Sequence, residues 1–106
     1  MNPNDSISYI IENSGKFAEA KANRVHIEEF RKSKKALLMK QSKEKSSVAQ
    51  ERDAYAHPEY IALLDGLEEA VQEEERLKWM LTAAQMSVEV WRTLEASNRR
   101  QDKNLS

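Results

Sequence analysis

Residues 58–91 read PEYIALLDGLEEAVQEEERLKWMLTAAQMSVEVW, and their apolar positions fall alternately three and four residues apart. This spacing keeps side chains along one side of an α-helix, where they can pack against another helix over many turns. One position in the series, Glu74, is charged. The stretch therefore predicts a long helix that lies along a partner helix. The apolar series, here called the seam, comprises Tyr60, Leu63, Leu67, Ala70, Leu77, Leu81, Ala84, Val88 and Trp91.

The composition supports an all-α chain. Of 106 residues, 40% are hydrophobic and 33% charged, with two glycines and two prolines, which is typical of long charged helices. Such helices bury less apolar surface than a compact globule of equal length, so we expect the chain to self-associate. The sequence contains no cysteine, no stretch long enough to cross a bilayer and no signal-peptide pattern, which favours the cytoplasm of a cell.

The pattern of helix signals predicts a single helical domain over 1–106. A short helix over 5–14 is expected to start at a cap (Asn4, Asp5 or Ser6) and to stop at Gly15. Next come a long helix over 16–56, with a bend or fraying near 40–47, and a second long helix over 58–96. His57-Pro58 is the expected turn, since proline fits the first turn of a helix. We expect residues 97–106 to form a flexible polar tail.

These elements predict an antiparallel, coiled-coil-like hairpin that closes at His57-Pro58. Opposed residue numbers would then total about 115, which would place Arg24 opposite Arg92. Residues 1–55 hold eleven Lys/Arg against eight Asp/Glu, whereas residues 56–106 hold six against ten. The two arms therefore have opposite charge, although exposed pairs of this kind contribute little each. On the first helix, Phe17, Ala20, Ile27, Phe30 and Leu37 are expected on the inner face.

The basic stretch RKSKKALLMK, residues 31–40, is the best candidate for contact with another molecule. Its charges spread around the helix, so they could follow a phosphate backbone without reading bases. An ordinary solvent-exposed lysine face is the alternative. Aromatic residues could stack on bases or could be core residues, and these are Tyr9, Phe30, Trp79 and Trp91. The candidate nucleic-acid-binding residues are Arg31, Lys32, Lys34, Lys35, Arg92, Arg99 and Arg100.

Catalytic and metal-binding functions have little support in the sequence. His26 and His57 are far apart and lack the neighbours that a metal site or a general base needs. Glu73, Glu74 and Glu75 project in three directions from a helix and cannot converge. We therefore expect no enzyme activity, no metal and no cofactor.

Between Leu77 and Leu94 the second helix is apolar on more than one face, and one opposing helix cannot cover all of it. We expect this surplus to serve self-association. The candidate oligomer-interface residues are Leu77, Trp79, Met80, Leu81, Met86, Val88, Val90 and Trp91. The number of copies, and whether the hairpin closes within one chain, are left open by the sequence.

The order of parts resembles the UvsY recombination mediator family of tailed bacteriophages. The resemblance covers residues 17–100: a basic first helix (KANRVHIEEFRKSKKALLMK), a polar middle (AQERDAYAHPEY) and an apolar-Trp-Arg stretch (WMLTAAQMSVEVWRTLEASNRR). It implies an oligomeric single-stranded DNA-binding protein in the bacterial cytoplasm, with Lys32, Lys34 and Lys35 on the DNA-binding stretch. Its implied partners are a RecA-like recombinase or single-strand-binding protein. A coiled-coil module that binds only protein, as an adaptor or an inhibitor of a host protein, is the alternative.

Overall fold

The computed structural model describes residues 2–105, and they form three α-helices. These are α1 (Pro3–Gln41), α2 (Ser47–Ala56) and α3 (Pro58–Leu105). The described residues contain no strand, so the all-α prediction is confirmed. None of these helices is apolar over a length that could span a membrane.

The first helix begins earlier than predicted and passes through Gly15. Asn2 is its cap, because the Asn2 side-chain oxygen accepts a hydrogen bond of 2.8 Å from the backbone N–H of Asp5. Pro3 occupies the first turn, where its missing N–H costs nothing. Gly15 has no positive φ and continues the helix, so the predicted separate helix over 5–14 is wrong. Glycine inside a helix costs about 1 kcal/mol relative to alanine, too little to end a helix that is stable on both sides.

The predicted long helix over 16–56 is also wrong, because α1 ends at Gln41 and α2 begins at Ser47. The break lies within residues 40–47, the stretch expected to bend. Ser46 caps α2, since its hydroxyl oxygen accepts from the backbone N–H of Ala49 at 3.1 Å. Across the break, the Ser42 hydroxyl donates to the Asp53 carboxylate at 2.5 Å. Short polar side chains thus supply local hydrogen bonds that replace a turn of helix.

His57 and Pro58 separate α2 from α3, as predicted. His57 has an extended backbone (φ −68, ψ 134), and Pro58 is the first residue of α3. The carbonyl of His57 accepts from the N–H groups of Tyr60 and Ile61 at 3.0 and 3.1 Å. Its Nδ1 accepts from the N–H of Glu59 at 3.1 Å. His57 therefore caps α3 with both its backbone and its side chain.

The predicted end of the second long helix at Ala96 is wrong, because α3 continues to Leu105. The segment RRQDKN, residues 99–104, is polar throughout, but it contains neither glycine nor proline that would stop a helix. Ser106, the last residue of the expected tail, lies outside the described residues.

The helices form two compact units. The central unit is Glu19–Glu74, and the terminal unit comprises the described residues up to Ala18 together with those from Glu75 onward. Most of the α3 seam is buried or half-buried. In the central unit the buried members are Tyr60 and Ala70, and in the terminal unit they are Leu77, Leu81 and Ala84. Trp91, the last member of the predicted seam, is exposed.

The inner face of α1 differs from the prediction in the central unit. Phe30 and Leu37 are exposed, whereas Leu38 is buried and packs with Ala54 and Tyr60. Positions 24, 27, 31, 34 and 38 are spaced alternately three and four apart, so the helix turns charged side chains inward along with apolar ones. An apolar pattern cannot identify such a face, because it counts the charged positions as exposed.

Arg24 and Glu74 form a two-point ion pair within the central unit. Arg24 Nε lies 2.6 Å from Glu74 Oε2, and its Nη2 lies 3.0 Å from Oε1. A third nitrogen, Nη1, contacts Glu28 at 2.9 Å. Hydrogen bonds to Glu74 and then Glu28 raise the pKa of Arg24. The pair occupies the interruption in the α3 seam, and its side chains are only 23% and 12% exposed.

This pair corrects the predicted register. Arg24 contacts Glu74 and not Arg92, which pairs with Glu89 in the terminal unit. Lys34 contacts Glu59 at 3.1 Å. The predicted total near 115 is wrong because it assumed one continuous first helix up to the His57-Pro58 turn. Residues 42–57 instead form the break, α2 and the turn.

We expect Arg24→Leu to lower the melting temperature by about 5 °C, because it leaves the mostly buried Glu74 carboxylate without its guanidinium. The double variant Arg24→Leu/Glu74→Leu should melt close to the native chain, since an apolar pair needs no desolvation of charge. Circular dichroism melting measures both. A double variant that melts lower than Arg24→Leu would show that the ion pair stabilises the unit more than an apolar contact does.

We expect Ser46→Ala to destabilise the chain by about 1 kcal/mol, because the N–H of Ala49 loses its acceptor. Ser46→Asp keeps an acceptor and serves as the matched control. Urea unfolding followed by circular dichroism gives both values. Equal stability of Ser46→Ala and the native chain would contradict a capping role.

Candidate nucleic-acid interface

The central unit contains a cleft of about 540 Å³ that is lined by three basic side chains and two aromatic rings. All three helices contribute to it, with five residues from α1 and one tyrosine each from α2 and α3. The two tyrosines lie near the end of α2 and the start of α3, and the His57-Pro58 turn between these helices brings their rings together. We call this feature the basic cleft, and its lining residues are Arg31, Lys32, Lys35, Ala36, Met39, Tyr55 and Tyr60.

The two tyrosines have different environments. Tyr60 is buried and packs with Leu38 and Ala54, which anchors its ring in the core of the central unit. Tyr55 is 44% exposed, and its ring lies 5.3 Å from that of Tyr60 in an edge-on arrangement. Edge-on contacts of this kind are favourable for aromatic rings. Tyr60 therefore holds Tyr55 at the surface of the cleft.

Lys35 is fixed over Tyr55. Its Nζ lies 4.8 Å from the ring centroid and 3.3 Å from Glu51 Oε1. Hydrogen bonding to Tyr55 and the nearby Glu51 carboxylate raise the pKa of Lys35, against the opposing effect of desolvation. The ammonium group thus stays charged while it covers the ring.

The remaining cations of the basic stretch differ in how they are paired. Arg31 has no ion pair within residues 2–105. Lys32 contacts Glu29 at 3.2 Å, and both side chains are mostly exposed. Lys34 does not line the cleft and contacts Glu59. Hydrogen bonding to Lys34, helped by its charge and to a lesser degree by His57, lowers the pKa of Glu59.

The structure therefore brings together three of the seven predicted nucleic-acid-binding residues. Arg31, Lys32 and Lys35 meet at the basic cleft, whereas Lys34 lies outside its lining. The other three belong to α3 in the terminal unit and are exposed: Arg92, Arg99 and Arg100. The sequence interpretation did not select Tyr55 and Tyr60 as ring partners for a ligand. Their positions on either side of the predicted turn were the available signal.

Two of the four aromatic residues predicted as candidates for stacking on bases, Phe30 and Trp79, have other contacts. Phe30 lies parallel to His26 with 6.1 Å between ring centroids. Trp79 Nε1 donates to Glu75 at 3.0 Å, and Lys78 Nζ lies 5.5 Å from the Trp79 ring. Tyr9 is half-buried, and Trp91 is exposed.

The predicted oligomer-interface residues fall into two groups in the terminal unit. Leu77 and Leu81 are buried within it, and Val88 is half-buried. The exposed members, which another molecule could reach without any rearrangement, are Trp79, Met80, Met86, Val90 and Trp91.

The polar side chains that line the basic cleft are Arg31, Lys32, Lys35 and the two tyrosines. Within residues 2–105, no group of three His, Cys, Asp or Glu side chains is placed to hold a metal ion. His57 is used as a helix cap, and His26 lies against Phe30. No family model, curated protein or solved structure matches this chain. The cleft must therefore be interpreted from its own cations and rings.

We expect an NMR titration to place the pKa of the Glu59 carboxyl below its ordinary value, and Lys34→Met to return it toward that value. Because the folded pKa is the lower one, the Glu59 charge stabilises the fold above the unfolded pKa. This stabilisation is lost as the pH falls through the folded pKa. Lys32→Met is the matched control, since Lys32 contacts Glu29 instead. A Glu59 pKa that does not respond to Lys34→Met would contradict the pairing.

Proposed function

We propose that this chain is a non-enzymatic accessory protein of phage recombination that binds single-stranded DNA through the basic cleft. One observation carries the proposal: Arg31, Lys32 and Lys35 share a cleft with an exposed tyrosine ring. Binding of single strands without sequence preference uses this combination, with cations on the phosphates and aromatic rings on the bases.

In the proposed mode, Arg31 and Lys32 contact phosphates and Tyr55 receives a base. Arg31 forms no ion pair that a phosphate would have to displace, and its planar fork suits phosphate oxygens. The Lys32–Glu29 pair is exposed on both sides, so a phosphate can replace Glu29 at little cost. Lys35 already lies over one face of Tyr55 and adds positive charge beside the stacked base.

The resemblance to the UvsY family supplies the biological role in this proposal. The protein would assemble on single strands covered by single-strand-binding protein and help to load a RecA-like recombinase there. Lys34 contributes less to DNA binding in this proposal than the resemblance implies, because its ammonium group contacts Glu59. The exposed Arg92, Arg99 and Arg100 are proposed as further phosphate contacts.

An antiparallel arrangement of α1 and α3 within each unit belongs to the same proposal. In the central unit, contacts join 24 with 74 and 34 with 59, so higher positions on α1 meet lower positions on α3. In the terminal unit, Ser14 and Phe17 line a cleft together with Leu81, Thr82 and Gln85. The ion pairs of the central unit support helices that run in opposite directions, and the cleft of the terminal unit supports helices that lie side by side.

We expect Arg31→Glu/Lys32→Glu to lower affinity for a fluorescent single-stranded oligonucleotide at least tenfold at low salt. Loss of two phosphate contacts should also make the slope of log affinity against log salt shallower by about 1.4. Tyr55→Leu should lower affinity by about 5- to 100-fold and leave the salt slope unchanged, since it removes only stacking. Fluorescence anisotropy over a salt series measures the affinity and the salt slope of the native chain and of each variant.

Lys43→Glu/Lys45→Glu is the matched control. It makes the same change in net charge on exposed residues outside the lining of the basic cleft. If both double variants lose affinity equally, net charge and not the cleft governs binding. If the native chain binds the oligonucleotide at no salt concentration of the series, the DNA proposal is wrong.

A protein-only interaction module is the second candidate, and a separate observation favours it. Large apolar side chains on α3 of the terminal unit are exposed, among them Trp79, Met80, Met86 and Val90. In addition, several lysines of the basic stretch contact glutamates of the same chain. Binding through such a face would change little with salt and would show a negative heat-capacity change, which distinguishes it from phosphate contacts.

A further inference from the structure

In the terminal unit, α3 has a second apolar face, opposite the buried seam. Trp79, Ala83, Met86 and Val90 follow one another at spacings of four, three and four, and all are exposed. At 100° per residue they fall within a narrow stripe, about half a turn from Leu77 and Ala84. We call these four residues the outer stripe. The exposed fractions of Trp79, Met86 and Val90 are 61%, 62% and 58%.

We propose that the outer stripe pairs with the outer stripe of a second copy, antiparallel, with the two-fold axis between Ala83 and Met86. The proposal deepens the self-association expected for this chain and does not depend on DNA binding. An alternation of four and three residues is the geometry by which one helix packs along another. A two-fold axis requires a surface that is complementary to itself.

The order of side-chain sizes meets that requirement. Read in opposite directions, the stripe places Trp79 against Val90 of the second copy and Ala83 against Met86 of the second copy. Each larger side chain then faces a smaller one, which fills the space between two helices evenly. A parallel pair would set Trp79 against Trp79 and Ala83 against Ala83, with crowding at one level and a gap at the next.

The charges beside the stripe do not oppose this pairing. Residues 75–94 contain two acidic and three basic side chains, so two copies bring no strong like-charge surplus together. Glu89 and Arg92 already form an ion pair within their own helix at 3.1 Å. Trp79 Nε1 donates a hydrogen bond to Glu75, and Lys78 Nζ lies over the Trp79 ring. Most of Trp79 is nevertheless exposed.

The available area also fits a second copy. The exposed area of the four stripe residues is on the order of 400 Å² per copy, judged from their exposed fractions and from typical side-chain areas such as about 150–250 Å² for an aromatic residue. Two copies together would bury roughly 800 Å², which is the size of a weak, transient interface. This supports a modest, concentration-dependent association.

The test uses opposite charges at facing positions. We expect the native chain to have the mass of an even number of copies by sedimentation equilibrium. Ala83→Glu and Met86→Lys should each weaken association at least tenfold, because each places a charge against an apolar side chain. An equimolar mixture of the two variants should regain association, since Glu at position 83 of one copy faces Lys at position 86 of the other.

Parallel pairing predicts no recovery on mixing, because positions 83 and 86 then never face each other. Ile61→Glu is the matched control: it places a charge on an exposed apolar position of α3 in the central unit and should leave the mass unchanged. A monomeric native chain, an odd number of copies, or no recovery in the mixture overturns the proposal. Because the DNA test measures anisotropy on separate variants, the two proposals can fail independently.

A second measurement introduces no charge at the interface. The chain has no cysteine, so Ala83→Cys and Met86→Cys each introduce a single thiol. Under mild oxidation of a mixture, the disulfide between position 83 of one copy and position 86 of the other should form faster than either like-with-like disulfide. Equal or faster formation of the like-with-like products overturns the antiparallel pairing.

Discussion

The central unit depends on a charged pair at the one place where its apolar seam is interrupted. Arg24 and Glu74 meet through two hydrogen bonds, in a position where both side chains are largely removed from solvent. An apolar seam with a repeating spacing tolerates a shift of one heptad, since one set of leucines and alanines packs much like the next. A two-point contact between one arginine and one glutamate does not. We infer that the pair fixes the alignment of α1 with α3, as polar residues do at inner positions of coiled coils.

The basic cleft follows from that alignment. With Lys34 held near Glu59, the chain must pass from Gln41 to Pro58 in a short distance, and it does so through a break, α2 and a capped turn. This route stacks the end of α2 against α1 and brings Tyr55 beside Lys35. The candidate site is thus produced by the connection between the two long helices.

The sequence predicted the features that depend on apolar periodicity or on proline. The α3 seam is buried at Ala70, Leu77, Leu81 and Ala84, and α3 begins at Pro58. The sequence-based prediction was wrong where charged residues face inward, and where hydrogen bonds of short side chains determine the ends of a helix. Arg24 and Lys34 occupy the inner face of α1, which moved the expected apolar contact from Leu37 to Leu38.

The same limits apply to the ends of the helices and to the site. At the break, the Ser42 hydroxyl donates to Asp53 and the Ser46 hydroxyl accepts from the N–H of Ala49, and a composition rich in lysine does not reveal these hydrogen bonds. The sequence indicated the cations of the candidate site but not the Tyr55 ring, over which Lys35 lies. Tyr55 reaches Lys35 only because α2 exists as a separate helix.

Gly15 and Gly66 have a consequence for motion within the long helices. Each lies inside a helix, and a Cβ at either position would meet no atom within 4 Å, so neither glycine is required by close packing. Each glycine makes the helical conformation about 1 kcal/mol less favourable at its position than alanine would. One is in α1 of the terminal unit and the other is in α3 of the central unit. We therefore expect amide hydrogen exchange in each unit to be faster near this glycine than in the turns on either side.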